Sequence, residues 1–156
     1  MDYLKDRLKT FSSPEYKEKV TYLNQYLYSK ASLESLLQER EKWFTIGTKV
    51  NSVSDGMPHS PSINSKVESS SIKMLELTQK IDAEVHNLEK TMDVIEKIID
   101  NIEDFKGQAI FRFRYINGMS FAKIAEVMGF SERHVFDVHK KILMNLDIKI
   151  DKEKVE

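Results

Sequence analysis

The chain of 156 residues contains no cysteine, so disulfide bonds and thiolate chemistry are excluded. Its five glycines are scattered, and no glycine-rich loop is present that could cradle a phosphate group. No apolar run approaches the roughly 20 residues that a membrane-spanning helix requires. The opening sequence MDYLKDRLKTF is charged throughout and does not have the pattern of a secretion signal. We therefore expect a soluble cytoplasmic protein without a membrane partner.

Signals for catalysis and for metal binding are also missing. The four histidines lack the spacing of metal ligands, and His134 and His139 are five positions apart, so they do not share one helix face. The many carboxylates fall on polar helix faces rather than in pairs suited to acid–base chemistry. The sequence therefore predicts a protein that is not an enzyme and that binds no metal and no cofactor.

The net charge of −1 is distributed unevenly. Residues 104–149 contain eight Lys and Arg against five Asp and Glu, whereas residues 1–103 contain 14 against 17. A positive excess of three gives limited attraction for a phosphate backbone. If the basic segment binds DNA, we expect it to act with a second copy of the chain or with a protein partner.

The most informative pattern lies in the basic segment, from Gly118 to Leu146. Ser120 and Ser131 are each placed to cap the start of a helix, and Gly129 between them supplies the left-handed residue of a tight turn. The expected buried positions have helical spacing, and the first helix has a small residue where the second approaches it. They are Ile124, Ala125 and Met128 in the first helix and Val135, Val138, Ile142 and Leu146 in the second. This pattern predicts a helix-turn-helix, whose second helix usually enters the major groove of DNA.

The rest of the chain also has helical spacing, and no strand pattern is convincing, so the predicted fold class is all-α. Long N-terminal helices, forming a hairpin or a coiled coil, precede a three-helix C-terminal domain. The first long helix is expected from about Pro14 to Phe44. The predicted divisions are an N-terminal helical segment (1–50), a flexible linker rich in Ser and Pro (51–71), a heptad helix (72–103), the helix-turn-helix domain (104–148) and a charged tail (149–156).

The heptad helix has apolar residues at alternating steps of four and three. This seam is formed by Ile81, Val85, Leu88, Met92, Ile95, Ile99 and Ile102. Such a seam requires a partner, and two arrangements are open. It could pair with the first helix in an antiparallel hairpin, or it could pair with another subunit in an oligomer.

The block FRFRYINGMSFAKIAEVMGFSERHVFDVHKKILMNL resembles region four of bacterial sigma factors. It is more closely similar to phage regulators of the ArpU and RinA type, with which it shares the Arg-Tyr-Ile-Asn-Gly run and a Ser-opened second helix with a central His. The specific match covers residues 108–146. The chain departs from the family at Lys123, where an acidic residue often precedes Ile-Ala, so no role is expected for an acid there. The resemblance implies a cytoplasmic regulator of phage or prophage genes in a bacterial host, typically an activator of late operons.

A helical projection of the second helix separates the expected DNA-reading residues from the packed ones. Expected base contacts come from Arg133, His134, Phe136, Asp137 and Lys140. Expected phosphate contacts come from Ser120, Lys123, Ser131, Lys141 and Arg114. His139 lies beside Val135 and Ile142 on the projection and is expected to be packed rather than to bind a ligand.

The expected partners are double-stranded DNA and, additionally, RNA polymerase or another regulatory protein. Two other functions use the same features. A small terminase-like DNA-packaging protein also combines a helix-turn-helix with a coiled coil and would form a large ring. A helical adaptor would bind polymerase or another protein through the N-terminal half and would not need DNA.

Overall fold

A computed structural model describes residues 2–52 and 61–150, with the side chains of residues 50–52 and 61–64 excepted. Over these residues the chain forms α-helices and no β-strand, which confirms the predicted all-α class. The helices are α1 (Asp2–Ser12), α2 (Pro14–Leu23), α3 (Gln25–Ser52), α4 (Pro61–Asp100), α5 (Phe105–Tyr115), α6 (Phe121–Met128) and α7 (Glu132–Asn145). Within the described ranges, no helix combines the length and the apolar character needed to cross a membrane.

The chain divides into two compact units. Unit 1 comprises the described residues of Met1–Tyr28 and Lys90–Glu156, and unit 2 comprises those of Ser29–Glu89. The boundary predicted between residues 103 and 104 therefore does not separate compact units. Unit 1 joins the predicted C-terminal domain to α1, α2 and the end of α4.

Unit 1 has two adjoining apolar clusters. The first contains Tyr16, Leu23, Ile95, Ile99, Ile102, Phe111, Tyr115 and Leu143, contributed by α2, α4, α5 and α7 with Ile102 just beyond α4. The second contains Ile110, Phe121, Ile124, Ala125, Val135 and Phe136, contributed by α5, α6 and α7. Because α5 and α7 contribute to both clusters, they link the two halves of the core.

In unit 2, polar contacts join α3 to α4. The Ser29 hydroxyl donates to the Glu84 carboxylate over 2.6 Å, near the start of α3. Further along α3, the carbonyl of Trp43 accepts from the Ser70 hydroxyl over 3.0 Å. Since the contacts on α4 move backwards along the chain as those on α3 move forwards, the two segments run antiparallel.

The predicted flexible linker is too long. Helix α3 continues to Ser52 and α4 begins at Pro61, so residues 51–52 and 61–71 are helical, and residues 53–60 lie outside the described part. Serine hydroxyls can bond to nearby backbone carbonyls and so be accommodated inside a helix. Ser71 does so with the carbonyl of Val67 over 3.0 Å. Serine content alone therefore misplaced the end of the linker.

The first predicted helix is interrupted. Pro14 begins α2 as expected, but α2 ends at Leu23 and α3 starts at Gln25, with Asn24 as the C-cap between them. Helix α1, which precedes Pro14, was not predicted as a separate element. Of the predicted charged tail, residues 149 and 150 are described and are not helical, and the remainder lies outside the described residues.

The heptad residues do not form one uniform seam. Ile95, Ile99 and Ile102 are buried in the core of unit 1, where α2, α5 and α7 cover them. Ile81 is buried in unit 2, but Val85 is 38% exposed. The C-terminal end of the predicted oligomer or hairpin seam therefore belongs to the hydrophobic core of unit 1, because α2, α5 and α7 pack against it.

Candidate nucleic-acid interface

Short polar caps define the α6–α7 pair. The Ser120 hydroxyl accepts from the backbone N–H of Lys123 over 3.2 Å at the start of α6. Gly129 ends α6 with φ of 69°, in the left-handed region that suits glycine. The Ser131 hydroxyl accepts from the N–H of His134 over 3.1 Å and opens α7. The predicted turn and both predicted caps are therefore present.

Helix α5 and its turn hold this pair in place. Asp104 caps α5 by accepting from the N–H of Gly107 over 3.1 Å. The guanidinium of Arg114 donates to the carbonyl of Met119 over 2.9 Å and lies 4.4 Å from the centre of the Phe121 ring. Arg114 is half-buried and engaged by the turn, and its role as a phosphate contact stays a prediction. Its charge stabilises the α5–α6 turn and the aromatic ring beneath it.

A buried pair fixes α7 against α5. The Tyr115 hydroxyl and His139 Nε2 are 2.7 Å apart, and both residues are fully buried. The His139 ring stacks on Phe111 with ring centres 4.9 Å apart. Burial, with a smaller effect of the Arg114 charge, lowers the pKa of His139 to about 3, and burial raises the pKa of Tyr115. His139 is therefore a neutral, packed residue, as expected from its position on the helix.

The solvent-facing side of α7 is polar. Exposed residues here are Arg133, His134, Asp137 and Lys141, and we call this set the α7 face. Arg133 and Asp137 are 67% and 51% exposed at the side chain, and Nε and Oδ2 lie 3.8 Å apart. A surface ion pair of this kind is weak. The Arg133 guanidinium is consequently able to exchange Asp137 for another acceptor.

Phe136 does not belong to this face. It is fully buried, and its ring meets the edges of Phe11 and Phe121 with centres 5.3 and 5.8 Å away, and that of Tyr3 at 6.3 Å. The predicted thymine contact by Phe136 is therefore wrong for this arrangement. Two helices enclose the side chain, α6 on one side and α1 on the other.

Lys140 is also engaged by α1. Its Nζ lies 3.1 Å from the Asp6 carboxylate, and its side chain is 32% exposed. A second ion pair joins Arg7 of α1 to Glu132 at 2.7 Å. Sequence reasoning missed α1 as a neighbour of α7. The available signal was the helical spacing of Tyr3, Arg7 and Phe11 in MDYLKDRLKTF, which places two aromatic rings on one side of a helix.

Of the other predicted phosphate contacts, Ser120, Lys123 and Ser131 lie at or near the start of α6 or α7, whereas Lys141 lies in the last turns of α7. Lys123 on α6 is 54% exposed and pairs with Glu126 at 3.0 Å, and Lys141 on α7 is exposed. Ser120 and Ser131 already use their hydroxyls as caps. Throughout the described ranges, no group of three or more His, Asp or Glu side chains is placed to hold a metal ion.

A protein-family model described as "Protein of unknown function (DUF722)" matches residues 18–147. The chain belongs to this family. The match begins within α2 and runs past the end of α7, so the DUF722 region includes the α7 face and excludes α1. No curated protein and no solved structure matches the chain.

Proposed function

We propose that this DUF722 protein is a DNA-binding transcriptional regulator, with α6 and α7 as a helix-turn-helix and α7 as the helix that enters the major groove. The observation that carries the proposal is the α7 face, which lies next to a capped helix start and is exposed and polar. A recognition helix contacts base edges with its N-terminal residues. Arg133, His134 and Asp137 occupy the first two turns of α7.

Each residue of the face has a chemistry that suits the groove. The exposed guanidinium of Arg133 matches the two acceptors of guanine, and the Asp137 carboxylate can orient it or accept from a cytosine amine. Lys141 and Lys123 supply positive charge for phosphates, which position a protein without reading sequence. The helix start at Ser131 adds backbone N–H groups that favour an anion.

The remaining parts of the proposal come from the sequence. The resemblance to ArpU and RinA type regulators supports phage or prophage genes as the target and activation of late genes as the effect. A charge excess of three over residues 104–149 supports the use of a second copy or of RNA polymerase as a partner. In this proposal the α3–α4 pair of unit 2 is the helical hairpin that provides the contact.

The test starts from a library of random duplexes selected with the purified full chain, followed by footprinting on the selected sequence. Arg133→Ala should lose about ten-fold or more of the preference for that sequence, because a bidentate contact contributes roughly 1–3 kcal/mol of discrimination. Circular dichroism should show an unchanged fold, since Arg133 is exposed.

Lys97→Ala is the matched control. Lys97 also lies in unit 1 and pairs with an acid four residues away, with Nζ 2.7 Å from Asp93, but it is on α4. Lys97→Ala should weaken DNA binding slightly and by the same factor for all DNA sequences. Equal affinity of the wild-type chain for selected and scrambled duplexes would refute sequence-specific binding, and unchanged preference in Arg133→Ala would refute the assignment of the α7 face.

A further inference from the structure

Helix α1 contacts three of the five residues that the sequence assigns to base reading. The Arg133 guanidinium lies 5.0 Å from the centre of the Tyr3 ring. Phe136 is enclosed by aromatic rings from α1, and Lys140 pairs with Asp6. Two of these side chains, Arg133 and Lys140, carry the positive charge that a DNA contact would use, so α1 engages them in the free protein.

The Asp6–Lys140 contact has the chemistry of a competitor. A carboxylate and a phosphate oxygen both accept from a lysine ammonium group, and Asp6 accepts from one of the three N–H donors of Lys140 over 3.1 Å. Negative charge beside the recognition helix also repels the DNA backbone. While α1 is docked, a phosphate must therefore compete with the Asp6 carboxylate for Lys140.

The position of α1 adds a steric conflict. On an ideal helix Phe136 lies about 100° from Asp137, so α1 packs on the flank of α7 rather than behind it. Two packed helices have axes roughly 8–10 Å apart. The major groove is about 12 Å wide and admits one helix, so the groove wall would meet α1 as α7 enters.

The ion pairs among these contacts are weak, whereas Phe11 packs against both apolar clusters of unit 1 and must be displaced for α1 to move. The two ion pairs that join α1 to α7 involve partly exposed acids, with Asp6 57% and Glu132 43% exposed, and such pairs contribute little to stability. Leu4 and Leu8 of α1 are exposed. Helix α1 also lies outside the part of the chain that the DUF722 family model matches.

We propose that α1 is an autoinhibitory strap that packs on the flank of α7 and must move before α7 enters the major groove. The inference depends on the proposed DNA-binding function. It predicts that weakening the α1–α7 contact increases DNA affinity, although α1 itself gains no contact with DNA.

The experiment compares charge changes at Asp6 with identical changes at Asp2, an exposed acid on the same helix. Duplex selection is performed in parallel with wild-type chain and with Asp6→Lys, and affinities for the selected duplex are measured by fluorescence anisotropy. Asp6→Asn should bind about three-fold more tightly than Asp2→Asn, because a surface ion pair is lost in only one of them. The difference in DNA affinity between Asp6→Lys and Asp2→Lys should be larger still, because a lysine at position 6 would repel Lys140. The Asp2 variants correct for the change in overall charge.

Hydrogen exchange of the wild-type chain gives a second readout. On DNA binding, amides of α1 should exchange faster while those of α7 become protected. Increased protection of α1 would show that it supports the bound state, and this would overturn the proposal. Equal affinities of the Asp6 and Asp2 variants would also overturn it and leave the proposed function standing if the wild-type chain binds its duplex. If no variant binds any duplex, the proposed function itself fails.

Discussion

The buried Tyr115–His139 pair predicts a specific sensitivity to acid. Burial lowers the pKa of His139 to about 3 in the folded chain, whereas an exposed histidine has a pKa of about 6.5. The unfolded chain therefore binds a proton over a pH range in which the folded chain does not. Stability from this residue is complete above pH 6.5 and is lost as the pH falls from 6.5 towards 3.

The size of the effect follows from these two pKa values. Between pH 7.5 and 5.5, His139 alone should reduce the free energy of unfolding by about 1.4 kcal/mol, since each further pH unit below 6.5 costs about 1.4 kcal/mol. This window lies above the range in which most carboxylates titrate. The pH dependence that His139 contributes can therefore be isolated by comparison with a variant.

The chain has a convenient pair of probes for this measurement. All six tyrosines are in unit 1 and the single tryptophan, Trp43, is in unit 2. Urea unfolding followed by near-ultraviolet circular dichroism of tyrosine reports unit 1, and tryptophan fluorescence reports unit 2. The pH effect of His139 should be present in the tyrosine signal and should disappear in the double variant His139→Phe/Tyr115→Phe, which leaves no unpaired hydroxyl.

His134→Gln is the matched control, because it removes an exposed histidine from the same helix. It should retain the pH dependence that is lost in the double variant. An equal loss of stability between pH 7.5 and 5.5 in the wild-type chain and the double variant would refute the reasoning. So would an NMR titration of the His139 ring with a midpoint near 6.5.

Two further predictions concern the packing of α7. A Cβ on Gly107 would lie 2.0 Å from Cδ1 of Ile142, the end of a side chain that can rotate away, so Gly107→Ala should lower the free energy of unfolding by about 1 kcal/mol. Adding Ile142→Val removes that methyl group and should recover part of the loss in urea denaturation, and full additivity of the two changes would contradict the clash. Lys19 donates to the carbonyls of Leu143 and Met144 at the end of α7, each over 3.2 Å, so Lys19→Met should cost about 1 kcal/mol. The exposed Lys17→Met on the same helix is the control for thermal denaturation, and equal melting temperatures would show that the α7 carbonyls do not depend on Lys19.

Features that are determined within one or two helical turns could be predicted from the sequence. Ser120 and Ser131 cap their helices with bonds that span three residues, and Gly129 adopts the left-handed conformation that a sharp helix end needs. These interactions require no knowledge of distant segments. Asp104 caps α5 in the same local way, although no cap was predicted there from the sequence.

Features that depend on distant residues could not be predicted in this way. The Ser-rich stretch before residue 71 has the composition of a linker, yet the Ser70 hydroxyl bonds to the carbonyl of Trp43, 27 positions away. The heptad pattern gave a seam but not its partners, and Ile95 and Ile99 pack against residues of α2 and α7. Composition and periodicity show that a side chain must be buried, but not which segment buries it.

The errors on α7 follow from the number of helices that pack against it. Projection of a single helix assumes one buried side, and this is adequate for Val135 and His139 at its centre and for Asp137 directly opposite. A second helix that packs on the flank of α7 changes the burial only of residues that lie between the buried side and the exposed side. Phe136 and Lys140 are those residues, and α1 is that helix. Because the contact between α1 and α7 spans more than 120 positions of the chain, no local pattern around α7 indicates it. Phe136 and Lys140, whose predicted roles changed, are also contacts of α1 in the proposed competition between α1 and DNA.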